Sequence, residues 1–206
     1  GRLPPAAEAY FSVREIVQNI RVRRDRLLEL RGPASHEDLI AFLRDGLNPA
    51  LEAVSEWCES TLEGQGLSVD SQVEAGERTL SPSDFGFHNA LELSDGKLHW
   101  LDFEYFGWDD PVKLICDFLW HPAMQLSHEL KQEWVSQCCK IFGDDPHLNS
   151  RLRHDWPIYG LRWSLILLNE FLPQQWEQRR QAQKWDSDYQ KERQQLQLQK
   201  ARGICK

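Results

Sequence analysis

The sequence predicts a mainly α protein of the α+β class, and three observations carry that reading. Apolar residues recur at helical spacing over several long segments. A single Asp-Gly turn between two short apolar runs marks a β-hairpin. The chain has 206 residues, 41% of them hydrophobic, which is enough to bury a real core.

Residues 6–30 read as the first helix, with Phe11, Val13, Ile16, Val17, Ile20, Leu27 and Leu28 along one stripe and Arg31-Gly32-Pro33 as its stop. A second helix is predicted from Ser35, with Asp38 three residues on as a capping-box partner. Its stripe continues through Leu39, Phe42, Leu43, Leu47, Leu51 and Val54 towards Glu63. The arginine-rich run from Arg21 to Arg26 reads as a solvated helix face, and residues 64–76 as a polar connector. The hairpin follows, its strands drawn from residues 89–93 and 97–101 around Ser94-Asp95-Gly96. Pro111 opens a helix that His121-Pro122 stops, Ser127 caps another that runs to Gly143, and residues 152–172 supply one more. Beyond Pro173 the chain turns to Gln, Arg and Lys, with Arg179, Arg180, Lys184, Lys191, Arg193 and Lys200. Residues 176–206 are therefore predicted as a polar helical tail to a body formed by residues 1–175.

Charge and composition narrow the function. A formal charge of −8 argues against a nucleic-acid partner, because domains that neutralise phosphates usually present a basic face. The longest apolar stretch, around Leu165-Ile166-Leu167-Leu168, is far too short to span a membrane. Five cysteines form no CxxC pair and leave one over in any complete disulfide scheme, so a reducing cytoplasm is the simplest setting. The seven histidines show no metal-ligand spacing.

The chemistry-bearing residues gather between Leu80 and Asp117. Asp84 lies in Ser81-Pro82-Ser83-Asp84-Phe85-Gly86-Phe87-His88-Asn89, so Asn89 follows it by five residues, and the hairpin then leads to Asp102. Phosphoryl transfer needs such parts: a carboxylate to orient the attacking hydroxyl, and an amide oxygen with a second carboxylate to hold magnesium on the phosphates. In this stretch the sequence resembles the aminoglycoside phosphotransferase and choline kinase family, whose members carry an HxDxxxxN loop and then a hydrophobic-Asp-Phe-Glu motif. Leu101-Asp102-Phe103-Glu104-Tyr105 is similar to the choline kinase version.

The resemblance implies the helical C-terminal lobe of a protein-kinase-like fold, with its catalytic loop and hairpin within residues 80–117. It implies Asp84 as the catalytic residue, Asn89 and Asp102 as ligands of magnesium and hence of ATP, and a small-molecule hydroxyl as the acceptor. Asp117 corresponds to a further family aspartate, although it comes later than the pattern expects. Glu104, Asp109, Asp110 and Glu170 are candidates for an acidic substrate rim, and Trp108 for a substrate contact by cation–π attraction. The chain departs from the family at Pro82, where the loop-buttressing His would be, and at Ser83, where Gly is usual. No GxGxxG precedes Asp84, and the first lysine of the chain is Lys97. The resemblance therefore implies that an N-terminal lobe belonging to the same protein is missing here, and that this chain alone is inactive. The alternative is a non-catalytic binding or scaffold module derived from such a lobe.

Overall fold

The computed structural model describes residues 3–30, 35–174, 176–177 and 187–205. The helix stop predicted at Arg31-Gly32-Pro33 and the basic residues Arg179, Arg180 and Lys184 lie outside these. The described chain is mainly helical, with two small antiparallel sheets.

The amino-terminal segment is not helical where the predicted helix begins: residues 3–6 run extended, and the chain then turns at Ala7 and Glu8, with Glu8 at φ 55°. Ala6 N–H donates to Trp108 O at 2.8 Å and Trp108 N–H to Pro4 O at 2.9 Å, so the segment runs as a parallel bridge beside Trp108. It passes so close over Gly107 that a Cβ there would lie 2.4 Å from Pro4 O. Helix α1 is Val13–Leu28, begun by a cap at Ser12. Ser12 Oγ accepts from Glu15 N–H at 3.3 Å, and the Glu15 carboxylate accepts from Phe11 N–H at 2.7 Å. These bonds satisfy amide groups that would otherwise be orphaned, and they set the helix start seven residues after the predicted one.

Helices α2 (Ser35–Phe42) and α3 (Asn48–Glu63) follow one path, joined by a π-helical turn at Leu43–Leu47. Pro49 explains the widening. It has no N–H to give to Asp45 O, and its ring crowds that carbonyl in a regular α-helix. The wider turn instead lets Asn48 N–H reach Leu43 O.

Strand β1 (Thr79–Ser81) pairs antiparallel with β4 (Gly107–Asp109), and β2 (Ala90–Glu92) pairs with β3 (Leu98–Trp100). The second pair is the predicted hairpin: Gly96 has φ 78° and Leu93 N–H donates to Lys97 O at 2.8 Å. The β1–β4 pair has no counterpart in the sequence reading. Helix α4 (Pro111–Trp120) starts at Asp110, whose carboxylate accepts from Val112 N–H, and α5 (His128–Ile141) starts at the predicted cap Ser127. Helix α6 (Leu148–Leu167) begins four residues before its predicted start and ends in a 3-10 turn, Leu168–Phe171.

Helix α6 organises the core, touching α1, α3 and α4 as well as α7 (Ser187–Ile204). Ile158, Tyr159 and Leu165 are fully buried along it, against Ile20 of α1 and Ile115 of α4 in one continuous cluster. Each such aliphatic side chain contributes about 1.5–3 kcal/mol by leaving water. Leu198 and Ala201 of α7 are buried in the same cluster. All five cysteines are free thiols. Among the described residues no helix is long and apolar enough to cross a membrane.

Candidate functional site

The loop after β1 is strained and held from several sides. Asp84 N–H donates to Pro82 O at 2.9 Å, closing a γ-turn over Ser83, whose φ is 68°. Such a turn on a residue with a Cβ costs energy, so its surroundings must enforce it. Ser83 N–H donates to Ser81 Oγ at 2.9 Å and Ser83 Oγ to Ala7 O at 2.7 Å. Lys113 Nζ adds a bond to Ser83 Oγ at 3.3 Å. On the far side Phe85 packs on Trp100, with ring centroids 4.5 Å apart. Asn89 then reaches back, its Nδ2 donating to Asp84 O at 2.9 Å and to Asp84 Oδ2 at 3.4 Å.

The hairpin brings the third residue to the same end. Leu101 N–H donates to Asn89 O at 2.8 Å, which extends the β2–β3 pairing by one step and sets Asp102 beside Asn89. Asp102 is exposed with φ 61°, a left-handed conformation that Asp tolerates better than most residues. Tyr105 follows on the same exposed loop. A hydrogen bond to Glu104 raises the phenol above its usual pKa, and the charges of Glu104, Asp102 and Asp84 add to the shift. Asp102 offers a carboxylate and Asn89, its nitrogen committed to Asp84, an amide oxygen, which are the donor types that a hard cation takes.

Behind the loop lies a buried charge network. Lys113 is 1% exposed and stands 3.0 Å from both Asp109 and Asp117. Asp117 also accepts from Arg162 at 3.0 Å and from Trp163 Nε1 at 2.7 Å. Arg162 pairs in turn with Glu8, which Arg23 shares. One ammonium serves two carboxylates, and the outcome is unequal. Burial pushes Asp109 up to about 6 against the pull of Lys113. Asp117 feels the same burial, but Lys113 and Arg162 together hold it below the usual value.

These contacts correct the predicted acidic rim. Asp109 is fully buried against Lys113, and Asp110 is 2% exposed, capping α4 and paired with Arg151 at 3.0 Å. Glu170 is buried and paired with Arg193. Charged groups this deep are stable only when paired, and none of the three lines the cleft beside Asp84. Glu104 alone of the four is exposed. Trp108 is exposed on the opposite face of β4 from Asp109, pinned by the amino-terminal segment, and does not line the cleft described next.

A cleft of about 530 Å³ opens beside Asp84, walled by Glu8, Arg23, Ser83, Phe85, Tyr105, Asp117, His121, Arg162, Trp163 and Asn169. Glu8, Arg23, Arg162, His121 and Trp163 are absent from the sequence reading of the site. Arg162 carried a usable signal, a charged residue inside the otherwise apolar run of α6. Glu8, the third non-glycine residue with positive φ beside Ser83 and Asp102, carried none.

Asp84, His88 and His121 bring one potential ligand atom each within 4.8 Å of one another. The two imidazoles, however, lie face to face, with centroids 4.1 Å and planes 2° apart. A metal must sit in the plane of each ring that binds it, and two parallel, separated planes share no such point, so this trio is not arranged as a metal centre.

Comparison with known proteins finds no counterpart: no family model, no curated protein and no solved structure matches the chain.

Proposed function

We propose that the chain is the helical catalytic lobe of an ATP- and magnesium-dependent phosphotransferase of the aminoglycoside phosphotransferase and choline kinase type, acting on a hydroxyl of a small molecule. The observation that carries this reading is the bonding of Asn89 to Asp84, which lines a cleft of about 530 Å³, at the base of the hairpin that leads to Asp102, with positive φ at Ser83 and Asp102. In the reaction the acceptor oxygen bonds to the γ-phosphorus, the bond to the leaving diphosphate breaks, and Asp84 takes the hydroxyl proton. Asn89 and Asp102 would hold a magnesium ion, whose charge would offset that on the phosphates. Glu8, Arg23, Arg162 and Asn169 line the same cleft as Asp84 and supply polar groups for an acceptor, and the exposed carboxylates of Asp102 and Glu104 lie close by in the chain and support a cationic one such as an amino sugar or amino alcohol.

Phe87, Leu91, Leu98, Leu101 and Phe103 are large apolar side chains exposed around the hairpin, and they support a second, nucleotide-holding lobe as the partner that covers this face. Free thiols in every cysteine support a reducing cytoplasmic setting. The test is an assay of the complete protein with ATP, magnesium and a panel of amino alcohols, aminoglycosides and sugars, alongside the 206-residue chain alone. Turnover on the order of 1–100 per second is expected for the complete protein and none for the lone lobe. Absence of turnover on every acceptor in the complete protein would overturn the reading.

A further inference from the structure

A stacked pair of histidines stands behind the carboxylate of Asp84. His88 Nε2 is 3.1 Å from Asp84 Oδ1, while Asn89 reaches Oδ2 at 3.4 Å, so each oxygen has its own donor. The His88 ring cannot drift. One face lies on His121, and on another side Gly86 approaches so closely that a Cβ there would be 2.7 Å from His88 Nδ1. His121 is fixed in turn. Its Nδ1 accepts from Ala123 N–H at 3.1 Å, which puts its own proton on Nε2, and its edge meets Trp163 with centroids 4.9 Å apart. Trp163 is bonded to the buried Asp117, so a continuous line of contacts runs from the charge network to Asp84.

The Asp84 side chain is 45% exposed and projects from a γ-turn that constrains only its backbone. An exposed carboxylate rotates freely unless donors hold it, and a base misplaced by about 1 Å can cost two orders of magnitude in rate. Pro82 stands where the resembled family has the His that buttresses this loop, and it has no donor to offer. We propose that His88, clamped between Gly86 and His121, is the positioning residue that fixes the Asp84 carboxylate towards the acceptor hydroxyl. This inference rests on the phosphotransferase reading, and its test separates the two.

In the complete protein His88→Phe keeps a ring for the stack but loses the donor. It is expected to lower kcat about 100-fold while the KM for ATP stays unchanged. His88→Gln restores an N–H donor and is expected to recover most of the loss, which a purely structural role would not predict. Wild-type kcat in His88→Phe, or no recovery in His88→Gln, overturns the proposal. If the wild type transfers no phosphoryl group, the phosphotransferase reading fails by itself, and the contact is judged from the imidazole nitrogen NMR spectrum of the 206-residue chain. There His88 is expected to carry its proton on Nε2 and its signal to move in Asp84→Ala; an unmoved signal overturns the positioning role.

Discussion

Lys113 Nζ stands 3.3 Å from the hydroxyl of Ser83, thirty residues earlier, while it pairs at 3.0 Å with both Asp109 and Asp117. One buried cation therefore holds the strained turn before Asp84 and pairs with the two carboxylates beneath it, Asp117 taking a second cation from Arg162.

Replacing Lys113 by Met leaves Asp109 with no cation and Asp117 with Arg162 alone. Removing one partner of a buried pair costs about 3–5 kcal/mol. A large fall in the denaturant midpoint is expected, and a smaller one in Lys113→Met with Asp109→Asn, where the stranded charge is gone. Equal losses in the single and double variants would show that Asp109 is not the group Lys113 neutralises.

Asp84→Asn and Asp102→Asn are expected to separate by kinetics. The first loses a proton acceptor, so kcat falls by about 10²–10⁴ with nucleotide affinity unchanged. The second loses the charge that holds the cation, so metal-dependent turnover disappears. Both keep the fold, and Asp102→Asn does so because Asn accepts the left-handed backbone at φ 61°. A midpoint lowered by Asp102→Asn would contradict this.

The pH dependence of stability follows from two opposed sets of carboxyls. Asp109 and Asp110 titrate at about 6 in the fold against 3.8 for the side chain in water, both raised chiefly by burial. Their contribution is fully present below 3.8 and is lost as pH rises through about 6. Glu8 and Asp117 are held below their ordinary values of 4.5 and 3.8, so their contribution is present above those values and is lost as pH falls through the lowered ones. Folding thus takes up protons near pH ~5, and the unfolding midpoint is expected to rise from pH ~7.5 to ~5 before dropping in stronger acid. Asp110→Asn, which can keep the cap and an acceptor for Arg151, is expected to flatten the rise. A midpoint that falls steadily from pH ~7.5 would reverse the sign assigned to both buried aspartates.

Gly107→Ala is expected to dislodge the amino-terminal segment, because the new methyl carbon would stand 2.4 Å from Pro4 O and 2.5 Å from Ala6 N. Overpacking of this kind costs about 1–3 kcal/mol. Limited proteolysis reports it directly: cleavage before Val13 is expected to accelerate, with cleavage in α6 unchanged. Equal protection in the variant would mean that Glu8 with its arginines and the bonds of Ala7 to Ser83 and Tyr105 hold the segment without the bridge at Trp108.

What could be read in the sequence was local. Asp95-Gly96 marked the hairpin because its turn needs a residue at positive φ, and Ser127 and Pro111 marked helix starts because they satisfy or omit the first amide donors. The start of α1 was also written, as Ser12-x-x-Glu15, but the apolar Phe11 extended the stripe across it. Asp109, Lys113 and Asp117 stand at intervals of four, the last two on α4 and the first at the end of β4, yet their setting depends on Arg162 and Glu8, which arrive from distant parts of the chain. The spacing of Asp84, Asn89 and Asp102 was legible for the same local reason; the cleft beside them, made by α1, α6 and the amino-terminal segment, was not.

The π-helical turn at Leu43–Leu47 has a consequence for the phase of the α2–α3 path. Leu39, Leu43, Leu47 and Leu51, all buried, repeat every four residues, and in a regular α-helix each step of four rotates the side chain by about 40°. Over the whole series they would spiral away from the core. The wide turn unwinds part of that rotation, so one face serves both halves of the path. Were the same residues 43–47 wound as a regular α-helix, everything up to Glu63 would be rotated by roughly 100°, turning Cys58 and Leu62 away from α6. The irregular turn is thus a phase correction on which the packing of the next sixteen residues depends.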